Sequence, residues 1–116
     1  MNFNIIMPRG DIRPVRFTVR SPDTQEVVSD LDEVYFTVKR NYTDRDFLFQ
    51  KRLTNGDIEK LQDDSYQFSI MPGDTDGLKI GKYVFDIELV RGNDLKQTFA
   101  GDFVLTNEVT FAENEG

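Results

Sequence analysis

The chain of 116 residues contains no cysteine and no histidine. Without cysteine there are no disulfides, no thiolate catalysis and no cysteine-ligated zinc. Without histidine the usual general base near neutral pH and the usual nitrogen ligand for a metal are both missing. Alanine, the strongest helix former, occurs only at positions 100 and 112. No stretch approaches the roughly 20 apolar residues that span a bilayer. The start "MNFNIIMPRG" has neither a basic n-region nor a long apolar run, so no secretory signal is expected and the chain is expected to stay in the cytoplasm that makes it.

What is present describes a folded domain. Hydrophobic residues make up 38% and charged residues 30%, a balance that argues against disorder. Ten phenylalanines and four tyrosines are enough to anchor a core between sheets. The length suits one core, expected over residues 1–111, with 112–116 as a frayed tail. Net charge is −7, and it is uneven: residues 1–52 hold nine basic and eight acidic side chains, residues 53–116 five and thirteen. That balance disfavours nucleic acid, which needs clustered cations. The asymmetry serves solubility, or sets an acidic face against a basic face on a neighbouring subunit.

Strand patterns dominate. Val15, Phe17 and Val19 alternate with Arg16, Thr18 and Arg20. Val34, Phe36 and Val38 repeat the pattern, as do Tyr66, Phe68 and Ile70, then Tyr83, Phe85, Ile87 and Leu89, and lastly Phe99, Gly101, Phe103 and Leu105. A period of two means strands with one face on a core and one in water. Asn55-Gly56, between "FLFQKRL" and "DIEKL", reads as a type I′ hairpin turn with positive φ at both residues. Asp63-Asp64 and Gly92-Asn93-Asp94 close two further hairpins. "PGDTDGL", residues 72–78, is the one expected helical turn, with Asp74 as its cap and Leu78 plugging the sheet edge.

Seven to eight short strands predict an all-β fold, an immunoglobulin-like antiparallel β-sandwich. In "DTDGLKIGKYVFDI", Tyr83 opens a strand and apolar Phe85 follows two residues on, the spacing of a tyrosine corner; the alternative is an ordinary core tyrosine.

The tripeptide Arg9-Gly10-Asp11 has the letters of an adhesion ligand. Pro8 and Pro14 flank it, two residues that favour turn geometry and block ladder pairing, and Gly10 permits a reversal. The expected reading is a structural turn between "NFNIIM" and the strand that starts at Val15. Asp74-Thr75-Asp76-Gly77 resembles the opening of a calcium loop, but the later ligands are missing. Asn41, Asp44 and Asp46 form another oxygen-rich loop, for which solvated turn carboxylates are the expected state. Ser21, Ser29, Ser65 and Ser69 have no imidazole partner and no nucleophile elbow. No pair of carboxylates stands out for glycoside hydrolysis. Neither catalysis nor a cofactor or metal is therefore expected. Tyr35, out of phase with its apolar neighbours, and Tyr42, in "NYTDRD", are candidates for a protein- or sugar-binding surface. Arg16 and Arg20 suit an acidic partner, or protect an edge strand by charge.

"RGDIRPVRFTV", "DEVYFTVKRNYTDRDFLFQKRL", "MPGDTDGLKIGKYVFDIELV" and "KQTFAGDFVLTNEVTF" together resemble small phage and prophage proteins of Gram-positive bacteria. That group is similar to the immunoglobulin-like N-terminal domain of phage baseplate upper proteins. The likeness spans roughly residues 7 to 111, and its specificity lies in the order of the pieces. It implies a non-catalytic virion or assembly protein of a tail, baseplate or neck, made in the host cytoplasm and then carried in the particle. The implied partners are other virion proteins or a second copy, without nucleic acid, membrane or small ligand. The chain stops after one domain, without the stalk or receptor-binding region of the long proteins, which favours an accessory or connector subunit. A carbohydrate-binding or adhesion module is the alternative.

Overall fold

Strands form where apolar side chains alternate, and the alternation fixes which face of each is buried. A computed structural model describes residues 4–107. In chain order its elements are β1 (Ile5–Pro8), β2 (Arg13–Phe17), β3 (Val19–Arg20), β4 (Val27–Val28), β5 (Glu33–Lys39), β6 (Phe49–Arg52), β7 (Glu59–Lys60), β8 (Tyr66–Ile70), the one-turn helix α1 (Pro72–Thr75), β9 (Gly81–Arg91) and β10 (Leu95–Thr106). The chain is all-β, as its periodicity predicts. The expected start of the first strand at residues 2–3, its last strand ending near Phe111 and the tail 112–116 lie outside the described residues.

Five strands form a sheet in the order β1-β10-β9-β5-β6, curled like half a barrel. Three more form a second sheet, β2-β8-β7, and β3 pairs with β4 in a two-stranded ribbon. Phe36 of β5 meets Phe68 of β8 with ring centroids 4.4 Å apart and Phe85 of β9 at 5.5 Å, so the two sheets share one core. Phe49 extends the cluster to Phe103 at 5.9 Å. Phe36 is fully buried, and cutting it to alanine would cost about 3–5 kcal/mol. Tyr66 lies in the same core, where its phenol oxygen accepts the Leu31 N–H at 3.2 Å.

Four expectations are corrected. The sheets are not wholly antiparallel: β1 runs parallel to β10, with Ile5 beside Phe103 and Pro8 beside Thr106. The turn after β1 carries the chain to the other sheet instead of folding it back, so β1 finds its partner at the far end of the sequence. Second, "VRFTVR" is not one strand. It breaks at Thr18, because β2 pairs with β8 while β3 pairs with β4, an element its two valines did not announce. Third, Asn55-Gly56 closes no hairpin: β6 pairs with β5 and β7 with β8. Of those two residues only Gly56 has positive φ, +85°, in a turn that passes the chain between sheets. Fourth, Pro8 and Pro14 do not block pairing. Each sits in register, Pro14 opposite Ser69, and is tolerated because its strand has a free side for the missing N–H.

The other two turns form as expected. Asp64, at φ +68°, sits in the β7–β8 connection, and Gly92, at φ +52°, opens the β9–β10 hairpin. The helical turn is shorter than residues 72–78, since α1 ends at Thr75. Leu78 beyond it packs against the core.

Candidate interaction surfaces

The outer face of the five-stranded sheet is built by the residues between the buried ones. Register aligns them in rows: Thr98, Glu88, Tyr35 and Arg52 form one, and Ala100, Asp86, Thr37 and Gln50 the next. Two adjacent pairs of opposite charge are matched. Lys96 Nζ stands 3.8 Å from Glu88, Lys82 Nζ lies 3.4 Å from Asp102, and the Arg52 guanidinium stacks 5.0 Å from the Tyr35 ring centroid. Gln50 Nε2 donates to Thr37 Oγ1 at 3.0 Å.

The β5–β6 loop folds over one end of this face. Asn41 N–H donates to the Asp44 carboxylate at 3.2 Å, and Lys39 Nζ to the Asp44 carbonyl at 2.9 Å. Tyr42 is thereby laid against β10, its hydroxyl donating to the Gly101 carbonyl at 3.0 Å, yet the residue stays 52% exposed. Burial of the phenol, reinforced by the Asp102 and Asp86 carboxylates, raises its pKa. Burial also raises the pKa of Asp86; Lys39 opposes that shift and Glu88 adds to it. A hollow of about 320 Å³ opens between sheet and loop, lined by Tyr35, Lys39, Phe47, Gln50, Asp86 and Glu88 among others. Tyr35, and Tyr42 laid on Gly101, thus share the outer face, with Phe47 exposed beside Tyr35.

Arg16 and Arg20 lie elsewhere, on β2 and β3, and both act locally. Arg16 Nε donates to Ser65 Oγ at 3.0 Å and its Nη2 pairs with Asp63, fastening β2 to the β7–β8 turn. Hydrogen bonds from Ser65, and then Arg16, hold the Asp63 carboxyl below its ordinary pKa. Arg20 Nη1 donates to the Gln25 carbonyl at 3.1 Å and closes the β3–β4 turn.

Arg9-Gly10-Asp11 is a turn built into the structure. Asp11 N–H donates to the Pro8 carbonyl at 3.3 Å, and Gly10 has φ +87°, a sign that favours glycine. Gly10 N–H donates to Oγ1 of the buried Thr75 at 2.9 Å, and Arg9 Nη1 to the Leu78 carbonyl at 3.2 Å. The turn is thus fastened to α1 and the segment after it. In α1 the Asp74 carboxylate accepts the Met71 N–H at 2.8 Å and pairs with Lys51 Nζ at 2.7 Å. Asp74 therefore caps the helix from its third position, not from in front of it. At the start of β9 the Tyr83 hydroxyl donates to the Lys79 carbonyl at 2.7 Å, the bond of a tyrosine corner.

Glu33 was not legible as a special residue. It is 8% exposed, and its carboxylate accepts Arg52 Nη2 at 2.9 Å, Thr54 N–H at 3.1 Å, Thr54 Oγ1 at 2.5 Å and Val34 N–H at 3.1 Å. Burial alone would raise its pKa, but the bonds from Thr54, Arg52 and Val34 outweigh it and hold the pKa at about 2. The partner Thr54 lies 21 residues away, so only the fold reveals the node.

Among the described residues no group of three or more acidic side chains is placed to hold a metal ion, and no helix is long and apolar enough to cross a membrane. No protein-family model matches the chain, and no curated protein matches it.

Proposed function

We propose that this chain is a small structural subunit of a bacteriophage particle, in a tail, baseplate or neck, working through protein–protein contacts and without catalysis. The finer reading of its fold is an immunoglobulin-like sandwich. The strand order supports it: β2-β8-β7 against β10-β9-β5, with an extra strand at each edge of the larger sheet. The Tyr83–Lys79 bond supports it too, with Phe85 two residues on, in the place where antibody domains carry a cysteine.

The observation that carries the functional reading is the outer face of the five-stranded sheet. Two of its ion pairs, Lys96–Glu88 and Lys82–Asp102, are already closed, and it carries the exposed aromatic side chains Tyr42 and Phe47, a surface suited to a protein neighbour. The ordered sequence likeness adds the phage context. Deleting the gene from an inducible prophage tests the proposal. Particles of normal shape and infectivity that never contained the protein would overturn it.

The hollow between Tyr35, Phe47, Gln50 and Asp86 favours a second reading, a carbohydrate-binding module, because aromatic and planar polar side chains meet there. Glycan-array binding lost on Phe47→Ala would favour it over the structural reading, which expects no hits.

A further inference from the structure

A charge that is partly withdrawn from water and left unpaired weakens the fold that holds it. Asp86 is such a charge. It is half-buried on β9, in the row of Ala100, Thr37 and Gln50, and lines the hollow between the sheet and the β5–β6 loop. Its carboxylate has no hydrogen-bond or ion-pair partner among the described residues. Lys39 attracts it, but that ammonium group is committed to the Asp44 carbonyl at 2.9 Å. Glu88 repels it, and is itself engaged by Lys96 at 3.8 Å.

The loop side of the same hollow carries the opposite charge. Arg45 is exposed and lines the hollow beside Phe47. Its guanidinium has no hydrogen-bond or ion-pair partner among the described residues, Asp86 included. Phe47 is 50% exposed and has no ring contact among those residues either. One surface therefore presents an unpaired cation, an unpaired anion and a bare aromatic ring. Such a surface complements its own copy. A two-fold axis that lies in the interface, and crosses midway between Arg45 and Asp86, sets each of them against its opposite in the facing chain. The contact occurs twice, and each guanidinium can offer a carboxylate two parallel N–H donors.

We propose that the outer face of the five-stranded sheet seats a second copy of this chain, Arg45 entering the partner's hollow to pair with the partner's Asp86, and the reverse. The interface is isologous. Phe47 gains the apolar cover that it lacks in the single chain. In a dilute monomer the pairing is missing, and the Asp86 carboxylate is a net cost to the fold. The inference rests on the reading of this face as a protein-contact surface and names its partner. It can fail while that reading stands, because purified protein decides the one and the prophage deletion decides the other.

Sedimentation equilibrium of the purified chain is expected to show a dimer of twice the 13.4 kDa chain mass at about 200 µM. A monomer at that concentration overturns the proposal. Arg45→Asp and Asp86→Arg are each expected to weaken the dimer by about tenfold or more, because each sets like charges together twice. An equimolar mixture of the two variants is the decisive sample. Its mixed dimer joins opposite charges at both contacts, one in the original sense and one reversed, so association should recover. A pair formed inside one chain gives no such rescue. A mixture that stays monomeric overturns the proposal, as do single variants that dimerise like the unaltered chain. Circular dichroism checks that both variants fold. If Asp86→Arg does not, Arg45→Gln and Asp86→Asn serve instead: each should weaken the dimer, and both together no more than either alone. Losses that add would refute the pairing.

Discussion

Glu33 is a buried carboxylate held by four hydrogen bonds, and its replacement by glutamine has a calculable consequence. In the unfolded chain its carboxyl titrates at the ordinary 4.5; in the fold it titrates at about 2. The folded pKa is depressed, so the contribution is complete above pH 4.5 and is lost as pH falls through the folded value. A gap of about 2.5 units corresponds to at most about 3 kcal/mol near neutral pH. Glu33→Gln keeps the volume but replaces two charge-assisted acceptors with one neutral carbonyl and an amide donor facing Arg52. It is expected to cost about 2–3 kcal/mol at pH 7, a fall in Tm of about 8–12 °C for a chain of this size. Urea titration followed by far-UV circular dichroism suits a protein without tryptophan. The distinguishing readout is pH. By about pH 3 the wild-type advantage should shrink to roughly 1.4 kcal/mol, and it should be nearly gone below pH 2. A deficit that stays constant between pH 3 and pH 7 would show that the carboxylate's charge is not the cause, and would refute the reasoning.

Tyr83→Phe removes the hydroxyl bonded to Lys79 and is expected to cost about 1–1.5 kcal/mol in urea unfolding, leaving the circular dichroism spectrum unchanged. Gly10→Ala strains a residue at φ +87° and should cost about 1 kcal/mol or more; a stabilised variant would contradict the turn geometry. Asp86→Asn tests the opposite linkage sign. Burial raises this carboxyl above its ordinary 3.8, so its contribution is complete below that value and is lost as pH rises through the folded pKa. The amide should therefore raise Tm at pH 7 and leave it unchanged near pH 3, by differential scanning calorimetry.

Sequence pattern captured what depends on a residue's immediate neighbours. Tyr66–Ile70 reads as a strand and is one, because alternation over five residues leaves a single way to bury Tyr66, Phe68 and Ile70 together. The tyrosine at the start of β9 was legible for the same reason, since its hydroxyl partner is four residues away. Partnership between distant segments was not legible. Nothing local in "NIIMP" tells a strand to pair with residues 103–106 in place of its sequence neighbour β2. Asn55-Gly56 has the composition of a hairpin, but the strands on either side prefer different sheets, and that preference decides. Tyr35 and Tyr42 were picked out separately, and only the curl of the sheet and the fold of the loop bring them onto one face. Arg16 and Arg20 share a stripe in sequence, yet each is drawn into a nearby turn.

The parallel pairing of the first and last strands sets how the molecule carries load. A pull on the backbone that drags Asn4 one way and Asn107 the other acts along β1 and β10 in opposite senses. The cross-strand bonds between Ile5–Pro8 and Phe103–Thr106 then bear the tension together and yield by sliding, whereas a hairpin pulled from its open end peels one rung at a time. Resistance to stretching is therefore concentrated in four residues of β1, which border the aromatic interior at Phe103.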